Sequence, residues 1–231
     1  MKKLLLLTFT LVIGFANAQQ FDHSTWNTIL NKNVSSTGDV NYKAIKSNPK
    51  ALDSYLEQLT NAKPNKAWSK EETLAFYINA YNAFTVKLII DNYPTKSIKD
   101  IKKPWDQKFI TIDGKLLSLN NIEHDILRKL DEPRIHFAIN CASISCPKLL
   151  NKAFTANDLD KQLEHVTKAF INSSENTITE KKIEISKLFT WFKGDFTTNG
   201  TIVDYFNKYS DITIHKKAKI KFKDYNWNLN E

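Results

Sequence analysis

The chain has little cysteine, glycine, proline or arginine. Its 231 residues include two cysteines, one methionine, five glycines, six prolines and only two arginines, Arg128 and Arg134. Two cysteines are too few for a disulfide scaffold or a four-cysteine zinc site. The Cys-x4-Cys spacing of Cys141 and Cys146 is not that of a metal finger, so no metal and no cofactor is implied. Scarce arginine argues against a nucleic-acid reader, which favours bidentate guanidinium contacts. No self-similarity at 20–50 residues recurs, which excludes repeat architectures. No glycine-proline period exists either, which excludes collagen. What is present is ordinary globular material: 42% hydrophobic and 25% charged residues, with 14 phenylalanines. A chain of this size buries roughly 70% of its unfolded surface, enough to hold one core without covalent staples.

Long apolar runs are also lacking after the first. Lys2 and Lys3 precede the apolar stretch Leu4 to Ala16, and Ala16-Asn17-Ala18 has the small-x-small form of a cleavage site. Residues 1–18 therefore read as a signal peptide, with a secreted or periplasmic chain starting at Gln19 and carrying no integral membrane segment. The net charge of +8, two fewer without Lys2 and Lys3, reads as a lysine-rich solvated surface. It identifies no partner and no oligomeric state.

Phe21 to Ser54 reads as a helix, a loop around Ser35-Ser36-Thr37-Gly38, and a second helix from about Ser47-Asn48-Pro49. Ser69 stands three residues before Glu72, a capping-box spacing, and opens a helix of about Lys70 to Asp91 with Pro94 beyond its end. Its middle, Ala75 to Phe84, is apolar nearly all round, as in a helix buried at the centre of a domain. Asn79 and Asn82 interrupt that run on one face, and buried amides must either tie down backbone or line a pocket. Asp113-Gly114 between Phe109–Ile112 and Lys115–Leu119 predicts a type I′ hairpin. A short helix is expected over Asn121 to Leu130. Arg134 to Cys141 alternates like a strand, and Thr155 to Ser173 reads as a helix. A second hairpin is expected around Thr177–Thr179 and Ile183–Ile185, then short helices near 186–193 and 201–208, then strand over Ile214 to Leu229. No linker divides the chain. The expectation is a single α+β domain over 19–231, with a central buried helix, β-hairpins and a small, mostly antiparallel sheet.

The residues suited to chemistry lie in Ile122-Glu123-His124-Asp125-Ile126-Leu127-Arg128 and in the stretch from Arg134 to Pro147. A thiolate nucleophile needs a base within hydrogen-bond reach and a group that orients the base. Cys141, at a strand end before small residues, suits an exposed nucleophile, and the N–H groups of the adjoining turn suit an oxyanion hole. His136 lies in the same expected strand, roughly 16 Å back along an extended chain and on the opposite face, which makes it a poor partner. His124 on the preceding helix can face the strand end. His165 and His215 have no supporting pattern. Equally, Glu123 can serve as a helix cap, His124 as an ordinary surface or core histidine, and Cys141 and Cys146 as a disulfide permitted by export.

The stretches Phe76–Ala83, Ile122–Arg128, Arg134–Pro147 and Trp191–Phe196 together resemble the family called domain of unknown function 547 (DUF547), over about residues 69–206. The resemblance implies a papain- and transglutaminase-like cysteine hydrolase in rearranged order, cleaving γ-glutamyl amides of the glutathione kind. It implies Cys141 as nucleophile, His124 as base and Glu123 as orienting carboxylate. Asn79, Asn82, Asn140 and Ser143 are the expected substrate-pocket or support residues. Neighbouring side chains on a regular helix point about 100° apart, so Glu72 and Asp125 compete with Glu123 for the orienting role. The competing function is a non-catalytic envelope binding module whose two cysteines form a disulfide. The substrate in the first case is a small molecule or peptide.

Overall fold

The computed structural model describes residues 20–231, so the expected signal peptide and its cleavage point lie outside the described residues. The chain organises around α4 (Lys70–Asp91), which opens where the Ser69 hydroxyl accepts the Glu72 N–H. Only half of the expected capping box is made. Glu72 accepts instead from the backbone N–H of Phe21, 51 residues away, and so ties the start of the described chain to the central helix. Sixteen of the 22 residues of α4 are buried, as its all-round apolar character requires.

Three helices precede it rather than two: α1 (Ser24–Asn33), α2 (Tyr42–Ser47) and α3 (Lys50–Asn61). The extra helix is started by the Asn41 side chain, which accepts the N–H of Ala44. Gly38 makes the loop before it possible. Its φ is +85°, and an added Cβ would lie 2.5 Å from the Cβ of Lys148, so only glycine fits this close approach.

The first hairpin forms as expected, with β1 (Ile110–Ile112) and β2 (Lys115–Leu117) antiparallel around Asp113 and Gly114, both at positive φ. The segment Asn121–Leu130 is helical but irregular: a π-helical turn over Asn121–Ile126 runs into a 3₁₀ turn over Leu127–Leu130. The helix α5 (Leu159–Ile171) lies inside the expected 155–173. Strands β3 (Thr177–Ile178) and β4 (Lys182–Ile185) make the second hairpin. Short helices α6 (Leu188–Trp191), α7 (Lys193–Phe196) and α8 (Ile202–Asn207) come next, and β5 (Lys219–Phe222) pairs in parallel with β4. One hydrophobic core joins helices and sheets into an α+β domain. No helix among the described residues is long and apolar enough to cross a membrane.

Two strand expectations fail. Arg134 to Cys141 is a 3₁₀ turn over Pro133–Phe137 followed by irregular backbone. Pro133 opens that turn, and the Glu132 carboxylate accepts the N–H of Arg134. The alternation misleads because His136, Ala138 and Asn140 are buried as fully as Ile135, Phe137 and Ile139, so the segment has no solvent face. Beyond Phe222 the chain is extended but belongs to no sheet. It is laced to the cysteine loop instead: the N–H groups of Ile144 and Ser145 donate to the carbonyls of Asn228 and Asn226.

Candidate active site

The cysteine loop is built by asparagines. Asn82 on α4 donates from Nδ2 to the Ala138 carbonyl and accepts the Asn140 N–H at Oδ1, at 2.9 and 2.8 Å. Asn140 in turn accepts the Ala142 N–H and donates to the Pro147 carbonyl, both at 2.8 Å. This bracing holds Ala142, fully buried, at φ +56° directly after the cysteine, a strained conformation of the kind found at functional sites. Asn79 makes the equivalent pair of bonds to the backbone of Phe154. The amides of Asn79, Asn82 and Asn140 are thus committed to backbone, and none of the three lines the cavity that holds Cys141. Asn82→Ala leaves a buried N–H and a buried carbonyl unpaired, each costing about 1–3 kcal/mol. A loss of about 2–4 kcal/mol in urea unfolding is expected.

Cys141 is half-buried and Cys146 is buried; both are free thiols. Their sulfurs are 2.9 Å apart. The Cys141 sulfur also meets the Ser143 hydroxyl at 3.2 Å and the Tyr225 hydroxyl at 3.4 Å. Hydrogen bonds from Cys146 first, then from Ser143 and Tyr225, hold the Cys141 thiol below its ordinary pKa despite burial. Burial and the neighbouring thiolate push Cys146 well above its own. Cys141 is therefore the thiol of the pair that ionises first. The expected backbone oxyanion hole is largely consumed, since the N–H groups of Cys141, Ala142, Ile144, Ser145 and Cys146 all have internal acceptors. The hydroxyls beside the sulfur are those of Ser143 and Tyr225, which also meet each other at 3.3 Å; only Tyr225 lines the cavity.

Around this sulfur a cavity of about 210 Å³ collects Glu123, His124, His136, Tyr81 and Tyr225 with a wall of aromatic rings. The π-helical turn places Glu123 and His124 differently. Glu123 is buried, with Oε2 3.5 Å from the Tyr81 hydroxyl and Oε1 3.8 Å from His136 Nδ1. His124 is half-exposed and meets Arg128 at 2.8 Å through its Nδ1. No hydrogen bond joins Glu123 to His124, nor either histidine to Cys141, among the described residues. The expected Glu123–His124–Cys141 chain is therefore not assembled as written. Glu72 is spent on Phe21 and Asp125 on Asn121, so neither replaces Glu123 as orienter.

His136, a poor partner for Cys141 on a strand, lines the same cavity as Cys141 in the folded chain. The 3₁₀ turn that replaces the strand removes the objection to it, because distance and face no longer obey a two-residue period. His136 is stacked on Phe192 at 3.9 Å, and its Nε2 lies 2.8 Å from Asp195 Oδ2. Asp195 is held well below the ordinary carboxylate range by hydrogen bonds from Arg128 and His136. An ionised Asp195 must accept, which places the His136 proton on Nε2 and leaves Nδ1 with a lone pair. That Nδ1 is buried without a hydrogen-bond partner. Burial lowers the His136 pKa, against the pull of Asp195, so the ring is neutral and basic at Nδ1. Asp195 belongs to the stretch Trp191–Phe196, whose aromatic character stands out in the sequence while its single carboxylate does not.

Burial, and then the charge of Cys141, push the Glu123 carboxyl from 4.5 up to about 7, against Arg128. A raised folded pKa favours the protonated form. Its contribution to stability is complete below about 4.5 and is lost as pH rises through about 7. Glu123→Gln removes the ionisation and should gain on the wild type by up to about 3 kcal/mol across that window. Paired urea titrations from about pH 4.5 to 8 measure this as a difference, and a constant difference between the two proteins would refute it.

Residues 65–171 match the family described as protein of unknown function, DUF547, as the motifs in the chain lead one to expect. The matched region holds α4, the hairpin, the π-helical turn and the cysteine loop; Asp195, Tyr225 and Trp227 lie beyond it. No curated protein and no solved structure matches the chain.

Proposed function

We propose that the chain is an exported thiol hydrolase of small amide bonds, with Cys141 as nucleophile. The observation that carries this reading is a half-buried sulfur in contact with Cys146, Ser143 and Tyr225, in one cavity with an imidazole fixed by Asp195 and unpaired at Nδ1. In the reactive complex the neutral His136 accepts the thiol proton at Nδ1. The sulfur attacks the carbonyl carbon, forming a C–S bond, and the Tyr225 hydroxyl, itself held by Ser143, donates to the developing oxyanion. The C–N bond then breaks as His136 gives its proton to the leaving amine, and water attacking the thioester, deprotonated by the same nitrogen, frees the acid and the thiol. His136 thus takes the role that the resemblance placed on His124. Its ring must approach the sulfur when substrate binds, as catalytic hydrogen bonds often tighten only in the complex. Within this class the resemblance implies γ-glutamyl amides, which belong in the first assay panel.

The test is the pH dependence of Cys141 alkylation by iodoacetamide, with the adduct located by mass spectrometry. The midpoint should fall below the roughly 8.5 of a free cysteine, and Cys146→Ala should raise it by removing a donor. A normal or unreactive Cys141 would remove the basis of the hydrolase reading. The competing reading, a binding module with Cys141 and Cys146 oxidised together, draws on the 2.9 Å sulfur separation. It predicts no titratable thiol in freshly isolated protein.

A further inference from the structure

The cavity around Cys141 has a wall whose chemistry selects its ligand. Trp105, Trp191, Phe192, Tyr225 and Trp227 line it. Ring centroids of Trp191 and Tyr225 are 4.8 Å apart, of Tyr225 and Trp227 4.6 Å, and of Trp105 and Trp227 5.7 Å, so the rings form one continuous surface. Trp191 stays 47% exposed, an indole left uncovered beside the nucleophile. The wall reaches the reacting atom itself through the Tyr225 hydroxyl at 3.4 Å from the sulfur. Any carbonyl placed for attack therefore presents its substituent to these rings.

No lysine or arginine lines this cavity among the described residues. Arg128 is fully engaged: Nε and one terminal nitrogen hold Asp195 at 2.7 Å each, and the other terminal nitrogen meets His124 at 2.8 Å. Lys99 covers the face of Trp227, with Nζ 5.3 Å from the ring centroid, and is not part of the lining. A substrate carboxylate would lose its water here and meet no counter-charge, a costly exchange. Glu123, once ionised above about pH 7, would repel it further.

We infer that the Cys141 site recognises an uncharged, flat acyl group, of the aromatic-acid or N-blocked aromatic amino-acid class, rather than a zwitterionic γ-glutamyl group. This specifies the substrate of the hydrolase reading and rests on it for turnover, though not for binding. A volume of about 210 Å³ admits one ring system, and rings stacked edge-to-face or offset against Trp191 and Tyr225 gain beyond simple area burial.

Binding and turnover are tested separately on the full chain. Cys141→Ser, which cannot turn over, is titrated with N-acetyl-phenylalanine anilide and with γ-glutamyl anilide, following tryptophan fluorescence. Binding of the aromatic amide at least about tenfold tighter is expected, with Trp191→Ala weakening it by about tenfold or more. Because Trp191 is half-exposed, that variant should fold, and far-UV circular dichroism checks it. Equal or tighter binding of the γ-glutamyl compound, or aromatic binding indifferent to Trp191, overturns the inference. The unmutated chain is then assayed for anilide release. If it binds the aromatic amide selectively but cleaves neither compound, the hydrolase reading fails and the recognition stands.

Discussion

Cys141→Ser is expected to lower amide cleavage by at least about 10³-fold while the unfolding midpoint hardly moves. Loss of a nucleophile that acts with its base as a unit removes nearly all covalent catalysis, as such series in known hydrolases show. Serine cannot replace the sulfur because its hydroxyl stays protonated where the Cys141 thiol is already ionised near neutral pH. Stability should persist because the loop is held by Asn82, Asn140 and the extended backbone from Asn226 to Asn228, and not by the sulfur. Residual cleavage within tenfold of the wild type, with the fold intact by circular dichroism, would end the assignment of Cys141 as nucleophile.

The second large effect separates the two histidines. Asp195→Asn is expected to cost about 10²–10⁴-fold in the acylation rate. An amide in place of Asp195 no longer fixes the proton on His136 Nε2, so Nδ1 loses its lone pair for part of the time. His136→Gln should fall as far. His124→Gln should stay within tenfold, because His124 is half-exposed and its Nδ1 is turned to Arg128. Asp195 also anchors Arg128, so a rate loss by itself does not separate a tautomer defect from displaced packing. The pH–rate profile distinguishes these: a tautomer defect shifts the acidic limb, whereas a packing defect lowers the whole curve. Should His124→Gln fall further than His136→Gln, the base is His124 after all.

Much of this domain is legible in the sequence wherever local chemistry decides the backbone. The span of α4 comes from Ser69 and from the apolar run to Asp91, and the first hairpin from Asp113-Gly114, because caps and tight turns satisfy their bonds within a few residues. The stretch from Arg134 to Cys141 reads wrongly as a strand for a physical reason. Alternation marks a strand only if one face meets solvent, and here both faces are covered by α4, α5 and the aromatic side chains of α6 and α7. That single error conceals the place of His136. Cys141, Glu123 and their shared cavity are within reach, because a small-residue loop after a cysteine and a helix carrying a carboxylate are local patterns. Tyr225 is not. It arrives from 84 residues away through backbone bonds that leave no periodic trace.

The irregular turn that carries Glu123 has a consequence for how this site can be lost. The Leu127 N–H reaches both the Glu123 and the Ile122 carbonyls, the widened winding of a helix holding one residue too many. Removing a single codon there would let the segment rewind as a regular helix, rotating the downstream side chains by about 100°. Carboxyl and imidazole would both remain in the gene, yet only one could still face the thiol. A chain carrying that deletion would keep the letters of this motif while losing the present separation of Glu123 from His124, so turn length at this spot shapes the cavity as much as residue identity does.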